Sequence, residues 1–266
     1  NMLGNIPTEG PTVREISLQG GILFPSDNYR GLPVYRTFDS VIGPISPKPI
    51  KLIKTLETEH LIAFVNSDGD NFNVVSNMGG RIMEKRDFPY TWTIAPAAPK
   101  VNIKNVYDAA FETDEFIAGP SGYGYCYPNM MNSAIRTDYQ EKTLKAMNDV
   151  GLTIVNQINI SVVGFFSFLQ EIMMYYSYWS PYPEMVEIPG VKAVLGYDYF
   201  TYDLGKGKYI IKDENCDETD CSRRVPYLSS TQKLYFNYDE NILITSEFID
   251  GGFTIVPVNH WLFNTS

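Results

Sequence analysis

Short apolar runs, each broken off by turn-forming residues, constrain the fold of this chain more than any other feature. Gly21–Phe24 stops at Pro25-Ser-Asp-Asn28, Leu61–Val65 at Asn66-Ser-Asp-Gly-Asp-Asn71, and Thr91–Ile94 at Ala95-Pro96. Glu115–Ala118 runs into Gly119-Pro-Ser-Gly122, and Leu152–Val155, Ala193–Leu195 and Phe253–Val256 complete the series. Runs that are apolar throughout, instead of alternating, suit strands buried on both faces. Helix-like stretches separate several of them. In Asn132–Val150, Ile135, Tyr139, Leu144, Met147 and Val150 recur at roughly helical spacing and Gly151 supplies a stop. Val163–Tyr176 is a second candidate, and Asn105–Phe111 a short third.

About seven buried strands alternating with helices predict an α/β fold with a largely parallel sheet. At this size a TIM-like β/α barrel, distorted or with about seven strands, is the first expectation and an open doubly wound sheet the second. No internal repeat or long linker interrupts the chain. The Pro-rich stretch Gly43–Pro49 reads as a surface connection, so residues 1–266 are expected to form a single domain.

The formal charge of −10 argues against nucleic acid, whose phosphates call for clusters of Lys and Arg, and against an anionic membrane surface. No apolar run is long enough to span a bilayer; Ser167, Gln170 and Glu171 interrupt the nearest. The chain carries no signal peptide and enters at once into structured-looking sequence, which reads as a piece of a longer protein. Of the three cysteines, Cys216 and Cys221 bracket a short acidic loop, as a disulfide or as two free thiols, and Cys126 reads as a buried thiol. Tyrosine is abundant, with 19 copies, and suits either the rim of a core or a cleft lined with rings.

In both candidate folds chemistry gathers at the C-terminal ends of the strands. Ser67-Asp68-Gly69-Asp70-Asn71 follows the Leu61 strand directly. Two carboxylates and an amide there can bind a divalent cation, hydrogen-bond sugar hydroxyls, or act as an acid and a base; equally, they can form a polar turn that caps the next helix. Asp27 occupies the matching place after an earlier run. Asp198 and Asp203, flanked by tyrosines, follow the Ala193 run, and His260 and Trp261 follow the last one. Trp92 lies within a strand, as core or as a stacking platform. His60 precedes its strand and falls on the opposite rim. There is no GxSxG elbow, no phosphate-binding GxxxxGK[ST] loop and no multi-histidine metal set, and no cofactor is implied. Carboxylate chemistry is what remains.

The run Gly122-Tyr-Gly-Tyr-Cys-Tyr-Pro128 fits the pattern GxGYxYP. It resembles the motif that names the GxGYxYP family of putative glycoside hydrolases. Phe64-Val-Asn-Ser-Asp-Gly-Asp-Asn71 is similar to the family's SDGDN stretch, and Phe88-Pro-Tyr-Thr-Trp92 with Pro96 to its FPxxW segment. Phe116–Gly122, Thr254-Ile-Val-Pro-Val258 and Pro25-Ser-Asp27 resemble further family segments, so the likeness runs from about Gly4 to Trp261. Asn259 stands between Val258 and His260, where the pattern would put the histidine next. The resemblance is to the family's C-terminal domain. It implies a TIM-like barrel, a preceding N-terminal domain that this chain lacks, and polysaccharide processing outside the cell or in the periplasm.

The resulting expectation is a glycoside hydrolase acting on poly- or oligosaccharide, with Asp68, Asp70 and Asp198 as catalytic candidates. Asp27, Asn71, Trp92, Tyr123, Tyr125, Tyr127, His260 and Trp261 are expected to contact the sugar. In an extended segment the three tyrosines would point to one side and line a cleft wall, leaving Gly122 and Gly124 bare on the other. The alternatives are a carbohydrate-binding relative that does not cleave and, behind it, a metal-assisted deacetylase.

Overall fold

The computed structural model describes residues 6–24, 42, 45, 61–66, 69, 88–158, 184–197, 208–212, 224–229, 234–236, 242–244 and 253–258. The described elements begin with helix α1 (Ile6–Leu18), strand β1 (Leu61–Asn66), β2 (Thr91–Ile94), helix α2 (Lys100–Ala109) and β3 (Glu115–Ala118). Helix α3 (Ser133–Val150), β4 (Ile154–Ile158) and β5 (Ala193–Tyr197) follow. The described elements close with β6 (Lys208–Lys212), β7 (Arg224–Ser229), β8 (Leu234–Phe236), β9 (Ile242–Ile244) and β10 (Phe253–Val258).

Eight strands form one sheet in the order β10-β1-β2-β3-β4-β5-β7-β6. Every neighbouring pair from β10 to β7 is parallel, and only β6 runs antiparallel at its edge. The molecule is therefore α/β, with a curled parallel sheet of half-barrel form carrying helices. Strands β8 and β9 make a separate antiparallel pair.

Among the described side chains of β1 to β5 both faces are largely apolar, for the reason the unbroken runs suggest. Trp92, Ile94, Phe116, Ala118, Val155 and Val194 pack with Ile103, Val106 and Tyr107 of α2 and with Tyr139, Met147 and Val150 of α3. Ala63, Val65, Ile117, Ile154 and Leu195 form a second cluster on the alternate positions. Strand alternation turns these to the opposite face, away from α2 and α3.

Helix α3 shows how local sequence sets an element. The Asn132 side chain caps it by accepting the Ile135 N–H at 3.0 Å, and Gly151 ends it in the left-handed region at φ 75°. Tyr139, Thr143, Met147 and Val150 make its buried stripe. The other expectations fared unevenly. Six of the seven runs are strands, with that at Leu152 displaced to Ile154–Ile158. Gly21–Phe24 is not one: only Leu23 pairs, in an isolated antiparallel bridge to Tyr125. The short helix expected at Asn105 begins earlier, at Lys100. The Val163–Tyr176 helix and the Cys216–Cys221 loop lie outside the described residues.

Candidate functional site

The C-terminal ends of β1 to β4 meet two pieces of irregular backbone, Gly69 and the segment from Gly119 to Pro128. Gly69 N–H donates to Thr93 Oγ1 at 2.8 Å, and its carbonyl accepts the Ala95 N–H at 3.3 Å. The peptide between the two aspartates of the SDGD run thus lies directly on the end of β2. A Cβ on Gly69 would fall 1.5 Å from the Thr93 carbonyl oxygen, so only glycine fits there.

The tyrosine-rich segment leaves β3 at Gly119, whose N–H donates to the Ile94 carbonyl at 3.0 Å. The Gly119–Pro120 and Pro120–Ser121 peptides are cis, and Gly122 has φ 86°. A loop so bent leaves many backbone groups to satisfy, and the surrounding elements meet them. Ile158 N–H at the end of β4 donates to Ser121 Oγ at 2.8 Å, and Tyr123 N–H to Thr143 Oγ1 of α3 at 3.2 Å. Tyr123 O accepts the Ala97 N–H, and Tyr125 O that of Leu23. Tyr127 N–H donates to Ser17 Oγ of α1 at 2.9 Å, while that hydroxyl donates to Val13 O.

At the centre sits Tyr139 of α3. Its hydroxyl lies 2.8 Å from Ser121 O and 3.0 Å from Gly124 O as donor, and accepts the Gly124 N–H at 3.2 Å. Burial, the largest influence, pushes its phenol well above the usual range, so it stays a neutral donor. Cys126 beside it is fully buried, and desolvation raises the thiol to about 12 against a partial lowering by its hydrogen bond with Tyr139. The cysteine of the motif is an inert packing residue.

The three motif tyrosines do not share a side. Tyr123 packs half-buried with the α3 cluster, 6.4 Å edge-on from Tyr139, whereas Tyr125 and Tyr127 join Val13 and Ile158 in another cluster. Their rings meet edge to face at 5.9 Å, with hydroxyls 3.3 Å apart. Residues 121–124 are bent and not extended, so the alternation on which the one-sided expectation rested does not run from Tyr123 to Tyr125. Nor are the glycine faces bare: a Cβ on Gly122 would strike Thr143 Cγ2 at 2.8 Å, and one on Gly124 Ile22 Cδ1 at 2.6 Å. Protein side chains fill that space.

Trp92 is likewise enclosed, at 0% exposure, and its indole N–H donates to Asp114 Oδ2 at 2.9 Å. Asp114 also accepts the Tyr90 and Phe111 N–H groups, at 3.2 Å and 3.0 Å, and fastens the start of β3 to β2. With no open ring face, Trp92 is core, the other of the two roles its sequence position allowed. Asp27, Asp68, Asp70, Asn71, Asp198, His260 and Trp261 lie outside the described residues. Among the described residues no group of three His, Cys, Asp or Glu side chains could hold a metal ion.

Two buried polar positions on β4 had no sequence signal. Gln157, facing the helices, donates from Nε2 to the buried Glu184 carboxylate at 2.6 Å and accepts the Met185 N–H at 3.0 Å. Asn156, on the opposite face, is 3% exposed.

The family model for the GxGYxYP putative glycoside hydrolase C-terminal domain matches residues 58–266. The chain belongs to this family. The match starts at residue 58, so the Pro25-Ser-Asp27 turn lies outside it. No curated protein matches the chain. The crystal structure of a putative hydrolase from Bacteroides thetaiotaomicron VPI-5482 is similar to this GxGYxYP protein at 22% identity and a TM-score of 0.64. It covers 95% of this chain and 49% of its own, so the present chain spans about half the length of the structure it resembles. At that identity the likeness speaks for the fold alone.

Proposed function

We propose that this chain is a glycoside hydrolase domain acting on poly- or oligosaccharide, with Asp68 and Asp70 as its paired carboxylates and Asp198 as a third acidic group. The family supplies the reaction class. The seating of Gly69 on the end of β2 carries the assignment of residues, because it puts the peptide between the two aspartates where parallel sheets gather their chemistry. The same reading takes the parallel strands as the body of a TIM-like barrel.

One carboxylic acid protonates the leaving glycosidic oxygen, and the other carboxylate attacks the anomeric carbon or activates water. Asp27, Asn71, His260 and Trp261 line the sugar path in this reading, and no cofactor takes part. The motif loop and Trp92 act at one remove: they fix the strand ends that the sugar meets.

The test is turnover of a glycan panel by wild type, Asp68→Asn and Asp70→Asn. Loss of turnover by roughly two or more orders of magnitude in either variant, with sugar binding kept, is expected. Unchanged turnover in both variants sinks the residue assignment. Binding with no product from the wild type makes the chain a carbohydrate-binding relative, and loss of turnover on chelation makes it a metal-assisted enzyme.

A further inference from the structure

The peptide groups on either side of Gly69 are both tied to the end of β2, but by unlike means. The Gly69 carbonyl accepts the Ala95 N–H at 3.3 Å, a backbone bond that any residue other than proline could make at that position. The Gly69 N–H donates to Thr93 Oγ1 at 2.8 Å, and that acceptor exists only because the side chain carries a hydroxyl. Thr93 is fully buried, at 0% exposure, in register with Ile117 of β3. Valine would suit the strand and its apolar surroundings at least as well, being equally β-branched with no polar atom to bury. The hydroxyl is a feature that the strand itself does not require.

Its influence reaches the aspartates through the backbone. The Gly69 N–H belongs to the peptide that joins Gly69 to Asp68, and the Gly69 carbonyl to the peptide that joins it to Asp70. Each peptide is planar, and the next α-carbon lies about 3.8 Å away. Holding both peptides against β2 therefore constrains the positions of both aspartate α-carbons. The seat is close: a Cβ on Gly69 would overlap the Thr93 carbonyl oxygen, at 1.5 Å.

We infer that Thr93 is a positioning residue for the proposed hydrolysis, whose Oγ1 holds the peptide between Asp68 and Gly69 and so sets how the turn presents both aspartates. The inference rests on the hydrolase reading above and adds to it a residue that touches neither the sugar nor the reacting atoms. Burial suits such a role, because the hydroxyl acts through the main chain. The geometry it serves is narrow. Carboxyl groups about 5–5.5 Å apart suit a retaining glycosidase and about 6.5–9.5 Å an inverting one, so a shift of an ångström or two changes what the pair can do. Misplacement by about 1 Å can cost on the order of a hundredfold in rate.

Thr93→Val removes the acceptor and keeps the branched shape, whereas Thr93→Ser keeps the acceptor and removes the methyl group. Both are compared with wild type, Asp68→Asn and Asp70→Asn for kcat and KM on the glycan that the wild type cleaves fastest, and for the urea unfolding midpoint. Expected is a fall in kcat of at least about tenfold in the valine variant with KM kept within about threefold, and a serine variant within about threefold of wild type in both. A merely structural threonine would move the midpoint without separating the two variants in this way. Wild-type kcat in Thr93→Val, with activity lost in the aspartate variants, overturns the inference and leaves the hydrolase reading standing. Equal loss in the valine and serine variants, or a loss that follows the unfolding midpoint, also overturns it and makes the side chain a packing element. A wild type that cleaves nothing, or aspartate variants that both cleave normally, removes the hydrolase reading and the inference with it. Should the valine variant fold poorly, Thr93→Ala against Thr93→Ser gives the same comparison, since those two differ only in the hydroxyl.

Discussion

Removing one oxygen, by Tyr139→Phe, tests whether the GxGYxYP loop is held from α3. The ring stays in its pocket, so the cavity left is no larger than the hydroxyl. The lost group donates to Ser121 O or Gly124 O, at 2.8 Å and 3.0 Å, and accepts the Gly124 N–H at 3.2 Å. Gly124 O keeps another donor, the Ser121 N–H at 3.1 Å, so the carbonyls are partly compensated. The Gly124 N–H loses its acceptor inside the protein. One lost neutral hydrogen bond costs about 1 kcal/mol and an orphaned buried donor about 1–3 kcal/mol, giving roughly 2–4 kcal/mol. For a chain of this size that lowers the melting temperature by roughly 5–12 °C. Urea unfolding with an unchanged slope measures the loss, and labelling of Cys126 under native conditions reports whether the loop opens more often. The fully buried thiol should react at least tenfold faster in the variant. A destabilisation below about 0.5 kcal/mol with unchanged labelling would refute the claim that this hydroxyl organises the loop.

Gly69→Ala should abolish turnover, because its Cβ meets backbone at 1.5 Å and the peptide between Asp68 and Asp70 must leave the end of β2. Near-wild-type activity would contradict the proposed site. Asp114→Ala strips three donors of their acceptor, the Tyr90 and Phe111 amides and the Trp92 indole, and should cost about 3–5 kcal/mol, read by urea unfolding. Alkaline stability gives a signed test. Burial raises Cys126 to about 12 and lifts Tyr107 and Tyr139 above the usual phenol range, so the folded chain keeps protons that the unfolded chain releases. Stability is then full below about pH 9 and falls as pH rises toward 12, by about 1.4 kcal/mol per unit for each such group; a flat profile there counts against the burial.

What the sequence reveals follows the range of the interactions involved. Helix α3 was legible almost to the residue because its cap, stripe and stop are all local: Asn132, the buried positions from Tyr139 to Val150, and Gly151. The apolar strands were legible because burial on both faces leaves few polar positions. Strand β7 was not, since Pro226 in its middle argues against a strand, and α1 was hidden by Gly10-Pro11. What anchors α1 is distant: Ser17 on its buried side holds the Tyr127 amide, 110 residues away. The one-sided tyrosine row failed for a related reason. Glycine permits a bend without requiring one, and only the packing around residues 121–124 decides that the segment is bent there and not extended.

These failures separate two roles that the sequence had merged. A loop rich in Tyr and Gly at a strand end reads as a binding wall, since rings stack on sugars and glycines leave room. Here the rings of Tyr125 and Tyr127 are buried and that of Tyr123 half-buried, the room is taken by Ile22, Thr143 and Met185, and the amides of Ser121, Tyr123, Gly124 and Tyr127 are each bonded within the protein. Groups so committed have little capacity left for a ligand. They join α1, α3 and the ends of β3 and β4 into one rigid body. On this reasoning changes within the motif act through stability and strand-end geometry. Changes at Asp68 and Asp70, by the proposed function, act on the sugar.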